Sequence, residues 1–143
     1  DACTLRCSPL VEGMFTTCSV DKTVKLWDVE ASKCLGTFYD HNAAISVVQF
    51  HPDGSCLAAG GHDHRINIWD TRSHTLLQHY PLHSDVVTDI KFHPSGHYLL
   101  SASADSTLKI WDIREGHLLY VGNCMLVELC QCCPYALHSR VVS

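Results

Sequence analysis

Three Trp-Asp pairs, Trp27-Asp28, Trp69-Asp70 and Trp111-Asp112, stand 42 residues apart, and this strict period constrains the chain more than any other feature of its 143 residues. Laying 29–70 over 71–112 without a gap matches Leu35/Leu77, His41/His83, Phe50/Phe92, His51/His93, Pro52/Pro94, Gly54/Gly96, Leu57/Leu99, Asp63/Asp105, Ile68/Ile110 and the Trp-Asp pair, eleven identities over 42 positions. Most are residue types with demanding structural roles: turn formers, buried aromatics and paired polar groups. One supersecondary unit is therefore written more than once, and a single such unit cannot bury its apolar faces without neighbours.

Inside each unit the hydrophobic pattern has period two and is cut by turns. Ile45-Ser46-Val47-Val48-Gln49-Phe50 leads into His51-Pro52-Asp53-Gly54 and then Ser55-Cys56-Leu57-Ala58-Ala59, the signature of a β-hairpin. Proline presets φ in the turn, and Gly54 or Gly96 accommodates φ > 0. Further turns at Asp63-His64-Arg65 and Asp105-Ser106-Thr107 precede Ile66-Asn67-Ile68-Trp69 and Leu108-Lys109-Ile110-Trp111, and last strands are expected at Leu76–Tyr80 and His117–Val121. Four antiparallel strands in a unit of roughly 40–45 residues is the arithmetic of a β-propeller blade.

The expected fold is thus all-β: a partial β-propeller of four-stranded antiparallel blades, with two complete repeats (29–70 and 71–112), a partial repeat (14–28) and a final strand (113–121). Upstream of Met14 the 42-residue register fails, because Ser8 and Glu12 fall where Phe50 and Gly54 would repeat, so 1–13 reads as a divergent segment. Downstream, Met125 and Pro134 fall where His83 and Phe92 would repeat, so 122–143 reads as a Cys-rich tail outside the repeat. The chain holds about 3.4 periods against the roughly 4–8 blades of a closed ring. It reads as a piece or splice form of a longer protein, without its own targeting signal, whose open edges need the remaining blades or a second chain; by itself it is expected to be oligomeric or aggregation-prone.

These marks resemble the WD-repeat family of β-propellers. In such blades a buried network is implied in which a His pairs with the Asp of the turn and a Ser or Thr bridges to the Trp ring nitrogen. In the third unit His83, Ser101, Asp105 and Trp111 supply all four parts. The second unit has His41, Asp63 and Trp69, but Ala59 stands where Ser101 does, so a looser network that still folds is expected. The first unit keeps Thr17, Asp21 and Trp27. Where the family usually has Gly-His, this chain has Asp40-His41 and Leu82-His83. Over Asp21 to Tyr120 it is similar in more detail to centriolar WD-repeat proteins of the proteome-of-centriole-one type, through Asp21-Lys22-Thr23-Val24-Lys25-Leu26-Trp27-Asp28, Leu76-Leu77-Gln78-His79-Tyr80-Pro81-Leu82-His83-Ser84, Phe92-His93-Pro94-Ser95-Gly96 and Asp105-Ser106-Thr107-Leu108-Lys109-Ile110. That resemblance implies a non-enzymatic scaffold of centrioles and basal bodies supporting cilium formation, with centriolar or microtubule-associated protein partners and a cytoplasmic, cytoskeletal location.

Other classes are disfavoured by the residues themselves. Charged side chains make up 17% of the chain and the net charge is -5, which argues against a phosphate-tracking basic surface. The longest apolar run, Leu118 to Cys130, is interrupted by Asn123 and Glu128 and falls short of the about 20 residues of a membrane span. Neither a nucleic acid nor a membrane is an expected partner. Nine cysteines, clustered at the two ends with none from 57 to 123, do not form an evenly distributed disulfide framework, and a reducing compartment is expected. His62-Asp63-His64 lies on one tight turn and offers part of a metal site at most, while Cys124, Cys130, Cys132, Cys133 and His138 lack paired zinc-ligand spacing, so no metal is expected. No nucleophile elbow, phosphate loop or metalloprotease motif is present, and neither enzyme activity nor a cofactor is expected.

Function in such an array is expected in its loops. Tyr39, Asn42, His62, His64, Ser84 and Asp85 are the candidate partner contacts on one face. On the other, Trp69-Asp70-Thr71-Arg72 and Trp111-Asp112-Ile113-Arg114 resemble the motif by which some WD-repeat substrate receptors dock on a cullin ubiquitin-ligase adaptor, which makes Arg72 and Arg114 candidate contacts. The competing expectation is that each Arg pairs with a carboxylate of the neighbouring blade.

Overall fold

A computed structural model describes residues 2–7 and 12–123. They form three four-stranded antiparallel sheets arranged as consecutive blades of an open, incomplete ring. Blade one is β1 (Ala2–Cys7), β2 (Met14–Ser19), β3 (Val24–Asp28) and β4 (Lys33–Phe38). Blade two is β5 (Ile45–Phe50), β6 (Cys56–Gly61), β7 (Ile66–Asp70) and β8 (Leu76–Tyr80). Blade three is β9 (Val87–Phe92), β10 (Tyr98–Ser103), β11 (Thr107–Asp112) and β12 (His117–Asn123). No helix among the described residues is long and apolar enough to cross a membrane.

Three sequence expectations are corrected. Ala2–Cys7 is not outside the blades: it pairs with β2, and Cys7 opposite Phe15 repeats the pairing of Phe50 with Leu57 and of Phe92 with Leu99. The period fails there because the β1–β2 connection, 8–13, is one residue longer than 51–55 and 93–97, which throws everything upstream of Met14 one step out of register. The sheets are also offset from the sequence period: each Trp-Asp pair ends the third strand of its sheet, so 29–70 begins within blade one and ends before the outer strand of blade two. β12 runs to Asn123, beyond the expected end at Val121.

The repeated residues explain the turns. The carboxylates of Asp28, Asp70 and Asp112 each accept two backbone N–H groups of the following turn: Glu30 and Ala31, Arg72 and Ser73, Arg114 and Glu115. The acid of the Trp-Asp pair thus caps the tight link to the outer strand. Gly54 and Gly96 have φ of 76° and 78°, the left-handed region that glycine enters without a Cβ penalty.

The two larger apolar cores lie between blades, and a third, smaller one (Ala102, Leu108 and Ile110 with Tyr98 and Leu100) lies within blade three. Cys18, Val24, Leu26 and Phe38 pack on Ile45, Val48, Phe50, Leu57, Ala59 and Trp69; Val47, Ala58, Ile66, Ile68 and Tyr80 pack on Val87, Ile90, Leu99 and Trp111. Val47 and Val48, adjacent in one strand, serve opposite neighbours, as a period of two requires. At each junction an outer-strand aromatic meets the next blade's tryptophan, Phe38 with Trp69 at 5.2 Å between centroids and Tyr80 stacked on Trp111 at 4.4 Å. Trp69 and Trp111 are completely buried, so these contacts carry much of the apolar burial. Trp27 is half-buried and lies parallel to Phe15 of its own blade.

Candidate interaction face

The loop face is built on the polar networks beneath it. In blade three, His83 Nδ1 stands 3.1 Å from Asp105 Oδ2 and Nε2 stands 2.7 Å from Ser101 Oγ, while the Trp111 indole N–H donates to the same Ser101 oxygen at 2.9 Å. A carboxylate only accepts, so Nδ1 carries the proton, Nε2 accepts the Ser101 hydroxyl, and the hydroxyl oxygen accepts the indole. Burial pushes the His83 pKa down, which keeps this neutral tautomer. Burial acts the other way on Asp105, but hydrogen bonds from the Thr107 hydroxyl, the Ser84 and Thr107 amides and His83 hold its carboxyl far below the usual range. The carboxylate therefore ties the connection before β9 to the β10–β11 turn.

Blade two does this differently. His41 Nδ1 reaches Asp63 Oδ2 at 2.8 Å, and Asp63 also accepts the Asn42 and Arg65 amides. Burial opposes ionisation of Asp63, yet His41 and these amides keep its pKa lowered. Above Ala59 no hydroxyl is available, and His41 Nε2 is a buried nitrogen without a hydrogen-bond partner. The expected loosening is confined to that atom, because the Trp69 indole donates instead to Asp40 Oδ2 at 2.8 Å. Asp40 lies in the connection that carries His41; its counterpart in blade three is Leu82, which cannot accept, and there Ser101 does the work. In blade one the Trp27 indole donates to Thr17 Oγ1 at 2.9 Å, whereas Asp21 is exposed and bound to Thr23 rather than joined to that pair.

The His41–Asp63 and His83–Asp105 bonds place the β4–β5 and β8–β9 connections on the same end of the blades as the β6–β7 and β10–β11 turns. All six candidate contacts sit there. Tyr39 is 71% exposed. The Asn42 and Ser84 amides are held by Asp63 and Asp105, and the Ser84 hydroxyl also reaches Asp105. His62 is exposed with Nδ1 beside the Ala44 carbonyl, His64 is half-buried with φ 67°, and Asp85 is exposed with its carboxylate on the Val86 amide. Two apolar side chains missed by sequence reasoning belong to the same end: Val20, 60% exposed in the β2–β3 turn, and Leu82, 55% exposed. Both positions follow from the repeat, since Val20 precedes His62 by 42 residues and Leu82 follows Asp40 by 42.

At the opposite end it is the competing expectation, that each arginine pairs with a carboxylate of the neighbouring blade, that is corrected. Arg114 lies 3.9 Å from Asp112 of its own blade, with its side chain 58% exposed, and Arg72 is exposed; among the described residues neither forms an ion pair with a neighbouring blade. Both follow Asp caps by two residues, so the turn projects them outward. Among the described residues no cluster of His, Cys, Asp and Glu converges as a metal site, and Asp63 is already committed to His41 and two amides. Cys124, Cys130, Cys132, Cys133 and His138 lie outside the described residues.

Comparison with known proteins agrees with this architecture. The profile of the WD domain, G-beta repeat family matches residues 4–28, 32–70 and 74–112. Similar curated proteins include a guanine nucleotide-binding protein subunit beta from Oryza sativa subsp. indica, 36% identical over 64 residues (44% of this chain and 17% of that protein), and a lissencephaly-1 homolog from Dictyostelium discoideum, 39% identical over 49 residues (34% and 12%). Among solved structures, the RRP9 WD40 repeats superpose with a TM-score of 0.79 at 24% identity, covering 84% of this chain and 38% of that one. U3-55K gives a TM-score of 0.81 at 23% identity over 85% and 39%. The chain therefore spans under a fifth of these curated relatives and about two fifths of these structures. With three matched repeats on three observed blades, the chain belongs to the WD domain, G-beta repeat family.

Proposed function

We propose that the protein is a non-enzymatic protein-interaction scaffold that binds its partner through the loop face bearing Val20, Tyr39, His62, His64, Leu82 and Asp85. The observation that carries this reading is the exposure of Val20, Tyr39 and Leu82 at one end of the blades, with the connections of Tyr39 and Leu82 fixed from below by the carboxylates of Asp63 and Asp105. An apolar group on a rigid support loses little conformational entropy on binding, which is what an anchor residue needs. Membership of the repeat family supports protein partners in general. The net charge of -5 supports neither nucleic acid nor a membrane surface as the target.

The finer reading is a scaffold of the centriole and basal body, acting in centriole assembly or stability and in cilium formation, with a cytoplasmic, cytoskeletal location and centriolar or microtubule-associated partners. Its support is the similarity over Asp21 to Tyr120. Tagged protein imaged in dividing and ciliated cells tests it: concentration at centrioles and basal bodies is expected, and a diffuse or purely nuclear signal contradicts it. A second reading, docking on a cullin ubiquitin-ligase adaptor, draws on the outward projection of Arg72 and Arg114. Adaptor recovery lost in an Arg72→Ala/Arg114→Ala variant would favour it, and failure to recover the adaptor with the unmodified protein would remove it.

A further inference from the structure

At two blade junctions a large polar side chain of blade two meets a glycine of its neighbour. His74, in the β7–β8 turn, lies over Gly36 of β4, where a Cβ would sit 2.5 Å from its ring; the same ring meets Phe38 edge-on at 5.3 Å. On the other side Gln78 of β8 donates from Nε2 to the Ile113 carbonyl, beside Gly116; a Cβ there would stand 3.7 Å from that nitrogen, an ordinary contact, and it is the left-handed φ of 75° that calls for glycine.

These pairs occupy the same two positions of the repeat. Gly36 and Gln78 are 42 residues apart, as are His74 and Gly116. The first junction is small on the strand and large on the turn, and the second is large on the strand and small on the turn. We infer that the junction of blades one and two is keyed: the pair Gly36/His74 specifies the neighbour that blade two's turn accepts and disfavours the wrong ones, above all blade two of a second copy. Docking the β8 edge of blade two onto another blade two would bring Gln78 against His74, two large groups in a space fitted for one. Blades this similar in sequence otherwise have every reason to pair out of order, and an array with open ends is exposed to that error. A mismatch at one pair of positions discriminates without altering the shared Trp contacts.

Exchanging the key tests this on the full chain. Gly36→Gln, His74→Gly and the double variant are compared by the midpoint of urea unfolding and by sedimentation. Gly36→Gln is expected to lower the midpoint, since the ring must leave its place on Phe38. The double variant is expected to recover most of that loss, because the introduced glutamine can reach the Thr71 carbonyl as Gln78 reaches that of Ile113. If Gly36→Gln does not fold, a folded double variant carries the same meaning. A Gly36→Gln midpoint equal to that of the unmodified chain, a double variant whose loss is the sum of the singles, or a double variant that fails to fold where Gly36→Gln folds would each overturn the inference.

Discussion

Ser101→Ala is the most informative single change to the buried networks. The hydroxyl serves two buried groups, accepting the Trp111 indole and donating to His83 Nε2. Its removal leaves an N–H without an acceptor and a lone pair without a donor, next to Leu82, which offers nothing in exchange. Each buried polar group left unsatisfied costs about 1–3 kcal/mol, so the loss should be about 2–4 kcal/mol. Blade two supplies the remedy, for there an aspartate in the equivalent connection takes the indole and leaves only the imidazole orphaned. Leu82→Asp in the Ser101→Ala background should therefore restore about 1–2 kcal/mol, while Leu82→Asp by itself, at an exposed position, should change stability by less than about 0.5 kcal/mol. Equilibrium urea unfolding followed by tryptophan fluorescence measures all four proteins. A Ser101→Ala loss below about 0.5 kcal/mol, or a double variant no better than Ser101→Ala, would refute the claim that the two blades solve one hydrogen-bonding problem in alternative ways.

Three further outcomes are expected. Ala59→Ser should place a hydroxyl under His41 Nε2 and raise stability by about 1 kcal/mol in the same unfolding assay. Gly96→Ala should destabilise by about 1–2 kcal/mol, because φ is 78° and the new Cβ would lie 2.7 Å from the His51 ring; adding His51→Ala should relieve the clash but not the backbone strain. The pH dependence has one sign throughout. His83 binds its proton more weakly folded than unfolded, so stability should fall as pH drops below about 6.5; Asp63 and Asp105 also have lowered pKa values and add a second loss below about pH 4, where the unfolded carboxylates take up protons first. Unfolding midpoints from pH 8 to 3 test this, and His83→Gln should flatten the upper part of the profile.

The strands, hairpins and open ring were legible because they rest on local chemistry: proline and glycine fix the turns, alternating apolar residues fix the faces, and the Asp of each Trp-Asp pair caps a link. β1 was not legible, since one extra residue between Cys7 and Met14 breaks a period-based comparison while leaving the pairing intact. The aspartate acceptor for Trp69 was missed for another reason. Which oxygen reaches a buried indole depends on the path of the connection, and Asp40 gives no local sign that it points inward. The loop face was only partly legible: Tyr39 was singled out, but Val20 and Leu82 look like ordinary strand-flanking residues until their exposure is seen.

The central proposal is that the loop face bearing Val20, Tyr39 and Leu82 binds the partner that recruits the protein to its site in the cell. Its most direct test is imaging of tagged protein beside a Val20→Ser/Tyr39→Ser/Leu82→Ser variant and an Arg72→Ala/Arg114→Ala variant, each with its unfolding midpoint measured. The account predicts centriolar foci for the unmodified protein and the arginine variant, and loss of foci at an unchanged midpoint for the loop-face variant. Foci that persist without Val20, Tyr39 and Leu82, or a diffuse signal from the unmodified protein, would contradict it.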